Sequence, residues 1–188
     1  MTFGELKMWF QRWIDGAGLN VQSGGITQAV EPAGFANWQP IAATSGTDTT
    51  PANGTQFVSS LWLPANKTIT GVGYLIGSVG GTDKVYAALY SASGALLANS
   101  SVSGGGATVG TAANVQTLAF TSTYAAKGPA LYYVGISMNG NTARLRTVPA
   151  HTQAGIYAGQ VSQTHGTVAA ITAPTTFTAD KAPVLFVY

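Results

Sequence analysis

The acids and imidazoles that could move a proton or ligate a metal are few in this chain: Glu5, Asp15, Glu31, Asp48, Asp83 and Asp180, with His151 and His165. Glycoside hydrolysis needs two carboxyl groups flanking the scissile bond, and a calcium loop needs oxygen ligands at fixed alternating positions; no spacing here nominates either. Neither histidine sits in an HExxH context, and both fall among turn-forming residues, so a metal role has no support. Asp83, between Thr82 and Lys84, reads as a turn residue whose carboxylate serves nearby backbone. The stretch GSVGGTDK, Gly77 to Lys84, invites comparison with a phosphate loop. It lacks the GK[ST] ending, and a strand pattern follows where a helix N-terminus would be needed to hold the anion. No G-x-S-x-G nucleophile elbow is present. Absence of cysteine removes disulfides and thiolate metal sites. The sequons at Asn53, Asn66 and Asn99 are what a chain this rich in Ser and Thr contains by chance, and matter only in a eukaryotic secretory route. The expectation is a non-enzyme with no catalytic residue, cofactor or metal.

Binding chemistry offers more. Tyr86 and Tyr90 share one face of their strand and form a candidate glycan platform, with Trp62, Tyr74, Tyr132 and Tyr133 as further aromatics; the competing reading places such rings in a core or between subunits. Arg144 and Arg146 share a face with Thr142 and are expected to meet solvent or a partner, since two guanidinium groups are costly in a core. At the N-terminus, Thr2 to Glu5 fits a capping box, and at about 100° per residue Phe3, Leu6, Trp9, Phe10, Trp13, Ile14 and Ala17 fall on one broad face. Gly16 and Gly18 stop the helix. So short a helix is marginal in water, so its aromatic face must be covered, either by its own domain or, the reading we favour, by another subunit or partner for which these rings are anchors. Phe35 and Trp38, set between Pro32 and Pro40, pin the following arm to a surface or cap the end of the domain.

A net charge of +2 without a Lys or Arg run argues against nucleic acid, whose phosphates call for a basic patch. Glu5, Lys7, Arg12 and Asp15 interrupt the apolar N-terminus, which falls short of the roughly 20 apolar residues that span a bilayer; neither a signal peptide nor a membrane span is expected. Only 7% of residues are charged against a usual share of about 25%. Solubility then rests on Ser, Thr, Asn, Gln and Gly, and on surface buried against neighbours.

The elements that would position these groups are strands. From Gly54 to Ala98, β-branched and aromatic runs alternate with Pro, Asn, Gly and Asp, predicting a four-stranded meander over 57–63, 69–76, 84–90 and 95–98, with a turn at Pro64–Asn66 and a hairpin loop ending at Gly94. Further strands are predicted at 115–120, 131–138, 142–148, 155–161 and 184–188, with Asn139 and Gly140 as a type I′ hairpin turn. The segment 164–180 reads as loop, and the last strand ties the C-terminus into a sheet. The fold class is therefore all-β, an antiparallel two-sheet sandwich of jelly-roll kind with an N-terminal amphipathic helix and extended arm. Its divisions are residues 1–18 (helix), 19–53 (arm) and 54–188 (sandwich).

Three segments, TDKVYAALYSASGALLANS (Thr82 to Ser100), TSTYAAKGPALYYVGISMNG (Thr121 to Gly140) and ITAPTTFTAD (Ile171 to Asp180), resemble a β-sandwich domain of tailed-bacteriophage structural proteins. The resemblance covers roughly Gly54 to Tyr188 and implies a virion component: a head decoration (cement) protein, a head fibre, or a module of a tail appendage. It carries no catalytic residues to transfer. The expectation it adds is a protein on the outer capsid surface, a homo-oligomer and most simply a trimer, that contacts the major capsid protein through the helix, the arm and one sheet face. The alternative is a carbohydrate- or receptor-binding module of a tail or head fibre.

Overall fold

The computed structural model describes residues 21–22, 25–26, 35–36, 46–127, 129–148 and 157–188. The chain divides into a unit over Met1–Pro32 and one over Ala33–Tyr188. In the first, β1 (Val21–Gln22) pairs antiparallel with β2 (Gly25–Ile26). The helix predicted for residues 1–18 lies outside the described residues.

The second unit holds β3 (Phe35–Ala36), β4 (Thr47–Thr49), β5 (Thr55–Leu63), β6 (Thr68–Leu75), β7 (Lys84–Ser91), β8 (Leu96–Asn99), β9 (Ala107–Thr108), β10 (Val115–Ala125), β11 (Ala130–Met138), β12 (Leu145–Val148), β13 (Ala158–Ser162), β14 (Ala182–Pro183) and β15 (Leu185–Val187). Every pairing between these strands is antiparallel. The one helical turn among the described residues is the 3₁₀ turn Ser103–Gly105. A six-stranded sheet runs β13-β5-β11-β7-β8 with β9 also on β7, a four-stranded sheet runs β10-β6-β15-β3, and a three-stranded sheet runs β14-β12-β4. The described residues are thus essentially all-β and built from antiparallel sheets.

One apolar cluster draws on both larger sheets. Phe57, Leu61 and Leu63 of β5, Leu89 of β7 and Ile136 of β11 meet Ile69 and Val72 of β6, Leu118 of β10 and Leu185 and Val187 of β15. On β5 and β15 these positions keep the even spacing that the pleat requires, while Ile69 and Val72 of β6 stand three apart, beside the irregularity in the β6–β10 register. Tyr74 enters the same cluster fully buried, and its hydroxyl donates to Gln116 Oε1 at 2.7 Å; loss of hydration pushes its ionisation well above the ordinary phenol value.

The connectivity departs from the predicted meander. Strands β5, β6 and β7 alternate between sheets: β5 lies between β13 and β11, β6 between β10 and β15, and β7 between β11 and β8. Of the four strands expected to run side by side, only β7 and β8 form a hairpin, closed through Gly94 at a φ of 85°. Burial explains the difference, because Gln56 to Leu61 is buried on both faces, a pattern that an exposed meander face cannot supply. Asn139 and Gly140 likewise do not turn β11 into a hairpin. Both edges of β11 are already taken by β5 and β7, so the chain leaves the sheet and β12 pairs with β4 and β14 instead.

Candidate functional site

Asp48 is the hub of one polar cluster. It stands opposite Arg146 in the β4–β12 pair, and its Oδ1 lies 3.0 Å from Arg146 Nη1. The Ser78 N–H donates to the same carboxylate, 3.0 Å from Oδ1 and 3.2 Å from Oδ2. A Cβ on Gly77 would come within 2.5 Å of Asp48 Oδ1, so only glycine lets the loop close on the anion. The glycine-rich stretch thus binds an anion after all, a carboxylate of its own chain. Partial burial pushes the Asp48 pKa up, but the Ser78 hydrogen bonds and the Arg146 and Arg144 charges outweigh it and hold the carboxyl below its ordinary value.

This corrects the expectation for Arg146. It is 6% exposed and turned inward, tolerated there because Asp48 neutralises it and the Gly46 carbonyl accepts from Nη1 at 3.3 Å. Arg144 stays half-buried, with Nη1 donating to the carbonyl oxygens of Asn141, Thr142 and Ala143. Asp83 fastens the same loop: its Oδ2 accepts from the Thr142 N–H at 2.9 Å and the Ala143 N–H at 2.8 Å, while Asn139 Oδ1 accepts from the Lys84 N–H at 2.7 Å. Asp83 is therefore a turn-holding residue, as its neighbours in sequence indicate.

A second polar cluster lies on the face of the six-stranded sheet turned away from the common core. Register places Gln56, Ser137 and Tyr86 side by side, and Ser60, Tyr133 and Tyr90 as a parallel row. Both rows are covered. Ile171 packs against Val58, Ala88, Tyr90 and Tyr133, joined by Val168 and Ala173; the Ile171 N–H donates to the Gly94 carbonyl at 2.9 Å, and the Tyr133 hydroxyl donates to the Pro174 carbonyl at 2.7 Å. His165 bridges to the sheet, Nδ1 3.2 Å from Ser137 Oγ and Nε2 2.6 Å from the Gly105 carbonyl oxygen, its ring tilted against Tyr86 with centroids 5.0 Å apart.

The glycan platform proposed at Tyr86 and Tyr90 is overturned by this cover. Both are 0% exposed, and burial raises the pKa of each hydroxyl. Tyr74, Tyr132 and Tyr133 are buried as well. Trp62 alone of the sequence-named aromatics on these strands is open, at 49% exposed, and Tyr157 joins it at 37%. The Ser60 N–H donates to the Tyr157 carbonyl at 2.8 Å, and Tyr157 N–H donates to Ser60 Oγ at 2.8 Å. Tyr157 is thereby opposite the residue two before Trp62, and Trp62 faces Leu131 across β11.

Phe3, Leu6, Trp9, Phe10, Trp13, Trp38 and His151 lie outside the described residues; Phe35 contributes backbone to β3, paired with Phe186. Among the described residues no group of three His, Asp or Glu is placed to hold a metal. Sequence reasoning missed Asp48, Gln56 and Gln163. A usable signal existed for Gln56: Gly135 interrupts an otherwise bulky strand, and a glycine there marks a close approach. A Cβ at Gly135 would lie 2.4 Å from Gln56 Cδ. Compared with family models, curated proteins and solved structures, the chain matches none.

Proposed function

We propose that this chain is a structural component of a tailed-bacteriophage particle: a head decoration (cement) protein that binds the outer capsid surface as a homo-oligomer, a trimer in the simplest case. In this reading the two larger sheets form a jelly-roll-like sandwich. The observation that carries it is that the three segments on which the resemblance rests come together in one body. Thr82–Ser100 supplies β7 and β8, Thr121–Gly140 supplies β11 paired to β7, and Ile171–Asp180 reaches back through Ile171 to Gly94 and through Pro174 to Tyr133. The low charge adds support, since a surface with few ions has few to desolvate when it seats on the major capsid protein. Such a protein stabilises a capsid by burying area across the joints between capsomers, which raises the free energy of opening them.

The test is reconstitution: purified full-length protein, mixed with heads that lack it, co-sediments to a saturating ratio and raises their disruption temperature. Failure to co-sediment at any ratio sinks the proposal. Replacing Trp9 and Trp13 by Ala in the full chain lowers the oligomer's molar mass in solution if the aromatic helix face joins subunits.

The second reading is glycan binding by a fibre module, favoured by the open Trp62 of β5 and the open Tyr157, which immediately precedes the neighbouring β13. Two such rings carry about 150–250 Å² each and are only partly exposed, which falls short of the roughly 800 Å² per partner that a stable protein interface needs, yet is enough for a sugar ring to stack on. Under this reading the full chain shows saturable binding on a glycan array that Trp62→Ala abolishes; binding unchanged in that variant excludes the site.

A further inference from the structure

Asn-Gly occurs twice in this chain, at Asn53–Gly54 and at Asn139–Gly140. Asparagine is a thermolabile residue, most of all before glycine. The backbone nitrogen of the following residue attacks the side-chain carbon Cγ, and glycine has no Cβ to obstruct that approach or to restrict the rotation it needs. The two sites share this chemistry but not their surroundings.

Asn139 is held. Its Oδ1 accepts from the Lys84 N–H at 2.7 Å, and its own N–H donates to the Lys84 carbonyl at 3.1 Å. Gly140 is pinned from the other side: a Cβ there would lie 2.2 Å from Asp83 Oδ1, and Asp83 Oδ2 accepts from the Thr142 and Ala143 N–H groups just beyond. Turning the Asn139 carboxamide toward the Gly140 nitrogen breaks its bond to Lys84, and rotating Gly140 drives it against the Asp83 carboxylate.

Asn53 is exposed, and its carboxamide is held by none of the described residues. The Ala52 carbonyl accepts from the Thr55 N–H at 3.1 Å, which puts Asn53 and Gly54 at the two corners of a β-turn. Gly54 has a φ of 86° and Asn53 lies outside the left-handed region, so the turn is type II. Types I and II differ chiefly by a half-rotation of the peptide between the corners. A Cβ at Gly54 would meet nothing within 4 Å, so this peptide is free to swing while the Ala52–Thr55 bond stays closed. It carries the attacking nitrogen.

We propose that Asn53 is a site of spontaneous deamidation, and that the fold protects Asn139 from the same reaction. The Gly54 nitrogen bonds to Asn53 Cγ, the Cγ–Nδ2 bond breaks, and the Gly54 amide proton leaves with Nδ2 as ammonia, closing a cyclic imide. Water then opens the ring: addition at Cγ gives aspartate, and addition at the Asn53 backbone carbonyl carbon gives isoaspartate, with the main chain routed through the side chain. Nothing is oxidised or reduced. Either product sets a new carboxylate at the head of β5, where the Gly54 carbonyl accepts from the Gln163 N–H at 2.9 Å and Thr55 pairs with Ser162; isoaspartate also lengthens the main chain there by one carbon. The change falls where the covering segment joins the sheet, and it does not depend on the virion reading.

The test is to age the folded full chain at mildly alkaline pH and follow amide-to-acid conversion at each asparagine by peptide mass spectrometry, with a parallel sample unfolded in urea. In the folded chain Asn53 converts ahead of Asn139 by about fivefold or more, since Asn139 must first give up at least one ordinary hydrogen bond. In urea the lead disappears, because the surroundings that separate the two sites are gone. Asn53 remaining intact in the folded chain, Asn139 matching or outpacing it there, or a lead that persists undiminished in urea overturns the proposal.

Discussion

Two polar clusters in this fold, one around Asp48 and one around Gln56, are carried in opposite ways. Asp48 and Arg146 carry full charges and sit where β4 meets β12, close enough to the surface that the carboxylate keeps 28% of its side-chain exposure. That carboxylate is held by Arg146 Nη1 and by the Ser78 N–H. Gln56, Tyr86, Tyr90 and Ser137 carry no charge and are buried completely or nearly so. The comparison teaches where each kind of group is tolerated: an ion pair is kept near water because desolvating two charges can outweigh their attraction, whereas neutral hydroxyls and amides can be carried under a cover at the lower cost of one or two missing bonds.

The sharpest way to break the comparison is Asp48→Ala, which leaves the Arg146 guanidinium buried without its counter-charge. A loss of about 2–4 kcal/mol is expected, read as a drop in urea midpoint at unchanged slope. Gly94→Ala strikes the other cluster by pushing its cover away. The residue has a φ of 85°, and a Cβ would lie 2.0 Å from the Ile171 carbonyl oxygen; a loss of about 1–3 kcal/mol is expected, with faster amide hydrogen exchange through 163–176 and little change near Asp48.

Acid should separate the clusters too. Because the Asp48 pKa is lower in the folded state than in the unfolded chain, its contribution is fully present above the unfolded value near 3.9 and is lost as pH falls through the folded value. The expected size is about 1 kcal/mol or less after solvent screening, and a urea series below pH 5 should show a slope with pH that Asp48→Asn flattens. The smallest effect belongs to Trp62→Ala. With 49% of the residue exposed, a stability change within about 0.5 kcal/mol is expected; a large loss would show that Trp62 packs as core and serves no surface role.

Local patterns in the sequence were enough to find the strands but not their neighbours. The runs at 57–63, 69–76, 84–90, 131–138 and 184–188 all contain strands, and the left-handed turn residues Asn66 and Gly94 stand where Pro64–Asn66 and Ser91–Gly94 promised turns. Alternation also set Leu145 into the core opposite to Arg144 and Arg146. Missed were the jump of β6 into another sheet and the partner of Arg146, because both depend on residues far away: Asp48 lies about a hundred positions before Arg146, and nothing between them records that they will be adjacent. Tyr86 and Tyr90 share a face as their spacing says, but that face is hidden by Ile171 and its neighbours, a segment whose own composition reads as exposed loop.

The order of apolar, polar and turn-forming residues therefore determined that this chain folds as antiparallel strands, where those strands begin, and which side chains point the same way, since pleat geometry and turn chemistry act within a few residues. Which sheet each strand joins, which of its two faces is covered, and whether a buried Arg or Gln finds a partner were decided only by the tertiary structure. Those outcomes turn on burial and on hydrogen bonds between segments that only the folded chain brings within reach.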